Sequence, residues 1–186
     1  MPNIDEIQIS ELVGKCRLGD TEAFRLLIKN YKRNLFSYLF KLSGDKTIAE
    51  DLFQETIIKV WYGIKKYREE SKFSSWLFSI AHNVSIDALR KKHKRKNIVN
   101  SDDITEGTDT HNPHNIVVAG ETMHLIQQAV NALPEKQKRV FLLRQHGGLA
   151  FKEIAKITNE PLNTVLGHMH YSVKKIKKAL REENVL

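Results

Sequence analysis

Ser101–Gly120 contains Asp102, Asp103, Glu106 and Asp109 but no lysine or arginine, in a chain that carries 30 basic residues elsewhere. With Gly107, Asn112 and Pro113 in the same stretch, it offers turn chemistry and little apolar surface to bury, so it reads as an exposed linker. That break constrains the fold more than any helix pattern does. It divides 186 residues into a first domain over 1–96, a linker over 97–118 and a second domain over 119–186. About 20 residues of extended chain reach at most roughly 70 Å, enough for two domains to engage separated sites on one long partner. His111 and His114 lie on this segment without sulfur or placed carboxylates, and no metal is expected there.

Both flanks carry apolar residues at helical spacing and no run alternates with strand period. The fold class is therefore all-α, two small helical domains joined by a flexible linker, the second a helix-turn-helix. Ser10 is expected to cap a short helix with Leu12, Val13 and Cys16. Gly19-Asp20 then ends it and caps a longer one, which carries Phe24, Leu27, Ile28, Tyr31, Leu35, Phe36 and Leu39 as far as Ser43-Gly44. Thr47-Ile48-Ala49-Glu50 reads as a capping box ahead of Leu52, Phe53, Ile57, Val60, Trp61 and Ile64. A further helix, capped by Ser74 or Ser75, buries Leu77, Ile80, Ala81, Val84 and Ala88.

In the second domain Met123, Ile126, Ala129, Val130 and Leu133 precede Pro134, which is expected in the first turn of the next helix. Gly147-Gly148 stops that helix. A short helix over 151–157, a turn at Thr158–Pro161 and a final helix capped by Asn163 complete the helix-turn-helix outline. Leu162, Val165, Met169, Val173, Ile176 and Leu180 form the stripe of the last helix.

The formal charge is +8 and the pI near 9.5, which favours an anionic partner, a nucleic acid or a membrane surface. Charges cut every apolar run well short of about 20 residues, so no membrane insertion is expected. MPNIDEIQIS lacks the basic-then-apolar order of a secretion signal, leaving a cytoplasmic location as the default. Cys16 stands alone, so it forms neither an internal disulfide nor a cysteine cage, and its apolar stripe marks it as a core residue. There is no glycine-rich phosphate loop and no HExxH, and histidines and carboxylates are scattered. No catalytic residue, metal, cofactor or small-molecule substrate is expected.

The helix that begins near Phe73 carries, opposite its core stripe, His82, Asn83, Asp87, Arg90 and Lys91, a line of polar groups that turns basic toward its end. Ahead of them Lys72, Phe73, Ser74 and Trp76 supply a cation, aromatic faces and a hydroxyl, the equipment for stacking on unpaired bases. The same pattern fits a core aromatic pair followed by a solvated basic helix end. In the helix-turn-helix the second helix would enter a major groove, projecting Asn163, Thr164, Gly167, His168, Tyr171 and Lys174, with Lys152 on the helix that crosses the backbone. An αα-hairpin with no nucleic acid near it has the same outline. Asp51, Gln54 and Glu55 form a face that repels phosphate. It is either a solvated helix side or a dock for a protein carrying arginines.

Taken in order, AEDLFQETIIKVW, FSSWLFSIAHNVSIDALRKK and ALPEKQKRVFLLRQHGGLAFKEIAKITNEPLNTV resemble the bacterial RNA polymerase sigma factors of the two-domain extracytoplasmic-function group. The resemblance covers nearly the whole chain outside the first few residues and the linker. It implies a non-catalytic subunit with core RNA polymerase and promoter DNA as partners, usually restrained by an anti-sigma factor. Asp51, Gln54 and Glu55 would match the surface for the clamp helices of the largest polymerase subunit. The stretch from Lys72 to Arg90 would match the segment that captures flipped bases of the minus-ten element, with Asn83 and Asp87 at its characteristic polar positions. The two helices from Phe151 would read the minus-thirty-five element. Where that family commonly has a basic or serine-containing run after Thr164-Val165, this chain has Leu166-Gly167-His168-Met169-His170-Tyr171. Two other readings fit the residues alone, a conventional helix-turn-helix regulator acting without core polymerase and a protein-interaction module with incidental basic charge.

Overall fold

A computed structural model describes residues 6–68, 72–99 and 119–182, with backbone alone at 6, 92–99 and 119–122. His111, His114 and linker positions 100–118 lie outside the described residues. The described residues form α1 (Glu6–Arg17), α2 (Thr21–Ser43), α3 (Lys46–Gly63), one 3-10 turn (Ile64–Lys66), α4 (Phe73–Val99), α5 (Ala119–Asn131), α6 (Glu135–Gly147), α7 (Phe151–Thr158) and α8 (Leu162–Glu182).

Local chemistry sets the ends of these helices. Asp20 caps α2 as its sequence suggests, its carboxylate accepting the N–H groups of Glu22 and Ala23 at 2.9 Å each. Gly44 closes α2 in the left-handed region at φ 72, where a side chain would be strained. Other starts differ from the sequence expectation. Ser10 lies inside α1. Because Gly44 turns the chain and leaves Asp45 extended, the Asp45 carboxylate reaches the Ile48 N–H first, at 2.9 Å, and Thr47 falls within α3. The Trp76 N–H donates to the Lys72 carbonyl, so α4 opens at Phe73 with Ser74 and Ser75 already helical; it runs on to Val99, past the expected linker start at 97. Pro134 lies one residue ahead of α6, its carbonyl accepting from Lys138, and Pro161 does the same for Val165 of α8. Asn163 is thereby relieved of capping and left on the surface.

In the first unit α2 packs on α1, α3 and α4, and α3 on α4. Leu27, Leu35, Leu39, Val60, Leu77 and Ala81 are fully buried between them, each large aliphatic contributing about 1.5–3 kcal/mol relative to exposure. Cys16 is buried there as expected, its thiol pushed up to about 11, first by burial and then by the Asp20 carboxylate. In the second unit α8 packs on α5, α6 and α7 around Val140, Leu142, Ile154 and Val165. The two helical units also touch one another, α2 against α6 and α4 against α6 and α7, so their buried side chains join in one cluster.

Candidate nucleic-acid interface

The first functional surface is built on an aromatic wall. Tyr31, Tyr67 and Trp76 surround Phe73, with ring centroids 5.4, 5.7 and 5.6 Å away, and the Arg17 guanidinium donates to the Tyr67 carbonyl, tying α1 to the turn after α3. This cluster holds the start of α4 against the end of α3. Between them lies an open groove of about 450 Å³ lined by Lys59, Gly63, Lys66, Trp76, Ile80, Asn83 and Val84. Gly63 lets the Trp76 ring lie close: a Cβ there would come 3.1 Å from it. The groove thus offers an indole face, two ammonium groups and an amide, with an apolar floor. That combination accepts a flat polar ring on an anionic backbone.

Each residue expected to touch nucleic acid from α4 falls on one of three sides. Trp76, Asn83, Asp87 and Arg90, at i, i+7, i+11 and i+14, share one stripe. Asn83, Asp87, Arg90 and Lys91 are exposed, as is Lys72, while Ser74 and Trp76 are partly covered. Phe73 is 4% exposed, its faces occupied by the aromatic wall, so it is not a stacking platform. His82 is also buried, turned about 100° from Asn83, and its Nδ1 lies 3.0 Å from the Tyr38 hydroxyl of α2. Burial, with the Arg139 cation adding to it, lowers the His82 imidazole to about 4, against a smaller opposing pull from Glu160. It is neutral near pH 7 and brings no charge to a phosphate.

On α3 the expected acidic face is exposed at Asp51, Gln54 and Glu55. The same stripe continues into two side chains that sequence reasoning passed over, Ile58 at 56% and Tyr62 at 76% exposure. The signal was present. Ile58 breaks the phase of the Leu52-Ile57-Val60 core pattern, and Tyr62 follows Asp51 by eleven positions, three helical turns. Glu55 pairs with Lys59 at 2.8 Å, so the acidic stripe and the groove share an edge. Lys59 and Lys66 were likewise missed, because a lysine after a core run reads as ordinary solvated charge.

In the second unit Asn159 takes the left-handed conformation at φ 53 and ends α7, and Glu160, Pro161 and the start of α8 follow in a tight turn. Ser172, buried, lies 3.3 Å from the Gln137 carbonyl and bonds its own helix at the His168 carbonyl, fixing how α8 lies on α6. Asn163, Thr164, Tyr171 and Lys174 are exposed on the outer side of α8, and Lys152 on α7. Gly167 belongs to this stripe, and a Cβ there would meet nothing within 4 Å. His168 stands at the edge and turns inward, its Nε2 3.4 Å from Glu160, which also holds Lys136 at 3.2 Å. Its ring nitrogen therefore faces the turn, where the sequence expectation has it projecting outward. Among the described residues no helix is long and apolar enough to cross a membrane, and no three His, Cys, Asp or Glu side chains gather to hold a metal.

These surfaces coincide with two family matches in the same order. Residues 27–95 match the model of Sigma-70 region 2 and residues 123–176 that of Sigma-70 region 4. The ECF RNA polymerase sigma factor SigW of Bacillus subtilis is 30% identical over 185 residues, covering 95% of this chain and 99% of that one. The RNA polymerase sigma-H factor of Pseudomonas aeruginosa is 28% identical over 182 residues, 94% of each. The fold is that of the sigma factor RpoE solved with the anti-sigma factor NepR from Bartonella quintana, with a TM-score of 0.70 at 19% identity over 87% of this chain and 98% of that one. It is also that of CnrH solved with the cytosolic domain of CnrY, with a TM-score of 0.65 at 18% identity over 96% and 99%. Matched from end to end and in both functional regions, the chain belongs to the extracytoplasmic-function group of sigma factors, the subunits that bind core RNA polymerase and direct it to promoters.

Proposed function

We propose that this sigma factor divides its work among three surfaces. The α3 stripe of Asp51, Gln54, Glu55, Ile58 and Tyr62 docks on core polymerase, its carboxylates meeting arginines and its two apolar side chains losing water. The groove of Lys59, Lys66, Trp76 and Asn83 receives a base extruded from the minus-ten element, while Arg90, Lys91 and Lys72 follow the backbone and Asp87 reads a polar base edge. Unstacking costs a few kcal/mol per step, and capture of the flipped base offsets part of it. The outer stripe of α8, with Asn163, Thr164, Gly167, Tyr171 and Lys174, enters the major groove of the minus-thirty-five element, and Lys152 touches phosphate.

The observation that carries this reading is the groove itself, cationic, indole-faced and open, beside an exposed acidic and apolar stripe on the same unit. The factor is non-catalytic and acts in the cytoplasm, with polymerase performing the bond chemistry. An anti-sigma protein restrains it, a reading supported by the complexes in which its structural relatives were solved. Run-off transcription with core polymerase on genomic fragments tests the whole. Promoter-dependent transcripts are expected, and their loss on the double change Lys59→Ala and Asn83→Ala with polymerase binding retained. Specific duplex binding by the chain alone, with no polymerase association, would point instead to an independent helix-turn-helix regulator.

A further inference from the structure

The opening turns of α8 lack the side chains that most often read guanine. From Leu162 to Val173 the helix carries no lysine or arginine, and its first cation is Lys174. Arginine and lysine make the commonest specific contacts to the O6 and N7 of guanine, so this end of the helix addresses other base edges. It exposes an amide at Asn163, a hydroxyl at Thr164 and the rings of His170 and Tyr171, whose centroids lie 5.7 Å apart. Two of its large apolar side chains also stand open to water, Leu166 at 41% and Tyr171 at 57% exposure.

Gly167 lies at the centre of these groups. On a helix its neighbours are three and four positions away, Asn163 and Thr164 before it and His170 and Tyr171 after it, with Leu166 alongside. A Cβ at Gly167 would meet no atom within 4 Å, so the helix surface is indented where the residues around it project. The floor of the notch is backbone carbon, and Leu166, Thr164 and Tyr171 border it. The major-groove edges of the four bases carry one apolar projection, the C5-methyl of thymine. We propose that the Gly167 notch is a thymine reader, seating that methyl while Asn163, one turn earlier, bonds the N6 and N7 of an adenine. The proposal rests on the minus-thirty-five reading of α8 and gives it a base preference, A·T pairs over G·C pairs.

The chemistry separates affinity from discrimination. Lys174, Lys175, Lys177 and Lys178 are exposed further along α8 and hold phosphate whatever the sequence beneath them. The notch acts on one base pair. Deoxyuridine in place of thymine keeps the O4 acceptor and the pairing and removes only the methyl, so its cost is that of one buried methyl, about fourfold in affinity. A cytosine there would turn its N4 amino donor toward an apolar recess, leaving it without an acceptor, and costs about fivefold or more.

The test uses the full chain assembled with core polymerase on a promoter located by the run-off assay. Each thymine of its minus-thirty-five element, on either strand, is replaced in turn by deoxyuridine, and binding is measured by competition. At one position the wild type is expected to bind the deoxyuridine duplex about fourfold more weakly. Gly167→Ala fills the notch and is expected to bind both duplexes equally, with circular dichroism confirming an intact helix. Leu166→Ala removes a border of the notch and brings the thymine-to-deoxyuridine ratio toward one by a second route. An element with no methyl-sensitive thymine, or a ratio in Gly167→Ala equal to the wild type's, would overturn the proposal. If scrambling the whole element leaves binding unchanged, the minus-thirty-five reading of α8 fails and the notch with it; an element that is required but blind to the methyl sinks the notch alone.

Discussion

The groove-bearing unit and the helix-turn-helix unit solve the same problem in different ways. In the second, the proposed recognition is delegated to one helix: α8 buries Val165, Ser172, Ile176 and Leu180 on one side and leaves Asn163, Thr164, Tyr171 and Lys174 on the other. The first has no dedicated reader. Its α4 is at once the central strut of the domain, through Leu77, Ala81 and Val84, a wall of the groove, through Trp76 and Asn83, and part of the seam with the other unit, through Phe78 and His82. A helix with three obligations allots each side chain to one of them. Adjacent residues such as His82 and Asn83 therefore carry unrelated roles.

That difference can be broken by substitution. Phe73→Ala should cost about 3–5 kcal/mol of stability, as a buried aromatic truncation does, measured by urea unfolding; a reader on the surface would leave stability untouched and lose only promoter melting. Asn83→Ala is the contrasting change on the same helix. It should leave stability within about 0.5 kcal/mol and weaken capture of a single-stranded minus-ten segment by about 1–3 kcal/mol, read by fluorescence titration. An unfolded Asn83→Ala protein would mean that α4 does not separate its faces.

In the second unit the smaller effect is expected at Gly167. Its Cβ position is open, so Gly167→Ala should stabilise the chain by up to about 1 kcal/mol in thermal melts. If duplex DNA approaches the backbone there, the same change weakens minus-thirty-five binding. Stabilisation without any loss of binding would show that this part of α8 stands away from the groove.

Much of the architecture was legible because local chemistry decided it. Asp20 and Gly44 mark helix ends whose signals lie within a few residues of the bonds they make. Asp45 won over Thr47 because a preceding left-handed glycine set its backbone, a neighbour effect that a capping pattern does not encode. The fate of Phe73 was illegible for a different reason. Tyr31 and Tyr67 cover it from distant positions in the chain, and an aromatic beside a basic run looks the same whether it is covered or bare. His82 and His168 each occupy the border of a polar stripe, where one helical step of about 100° separates solvent from a neighbour. Which way a border residue turns depends on what packs there, here α6 and Glu160.

Rigidity of α4 carries one more consequence. Its 27 residues make a rod about 40 Å long whose orientation is locked by the hydrophobic interior. No loop rearrangement can re-aim Asn83, Asp87 or Arg90 without rotating the domain around them. If Asn83, Asp87 and Arg90 read bases as proposed, a change of promoter preference in this unit proceeds by exchanging side chains on a fixed scaffold, so the vocabulary can change while the grammar of presentation stays the same.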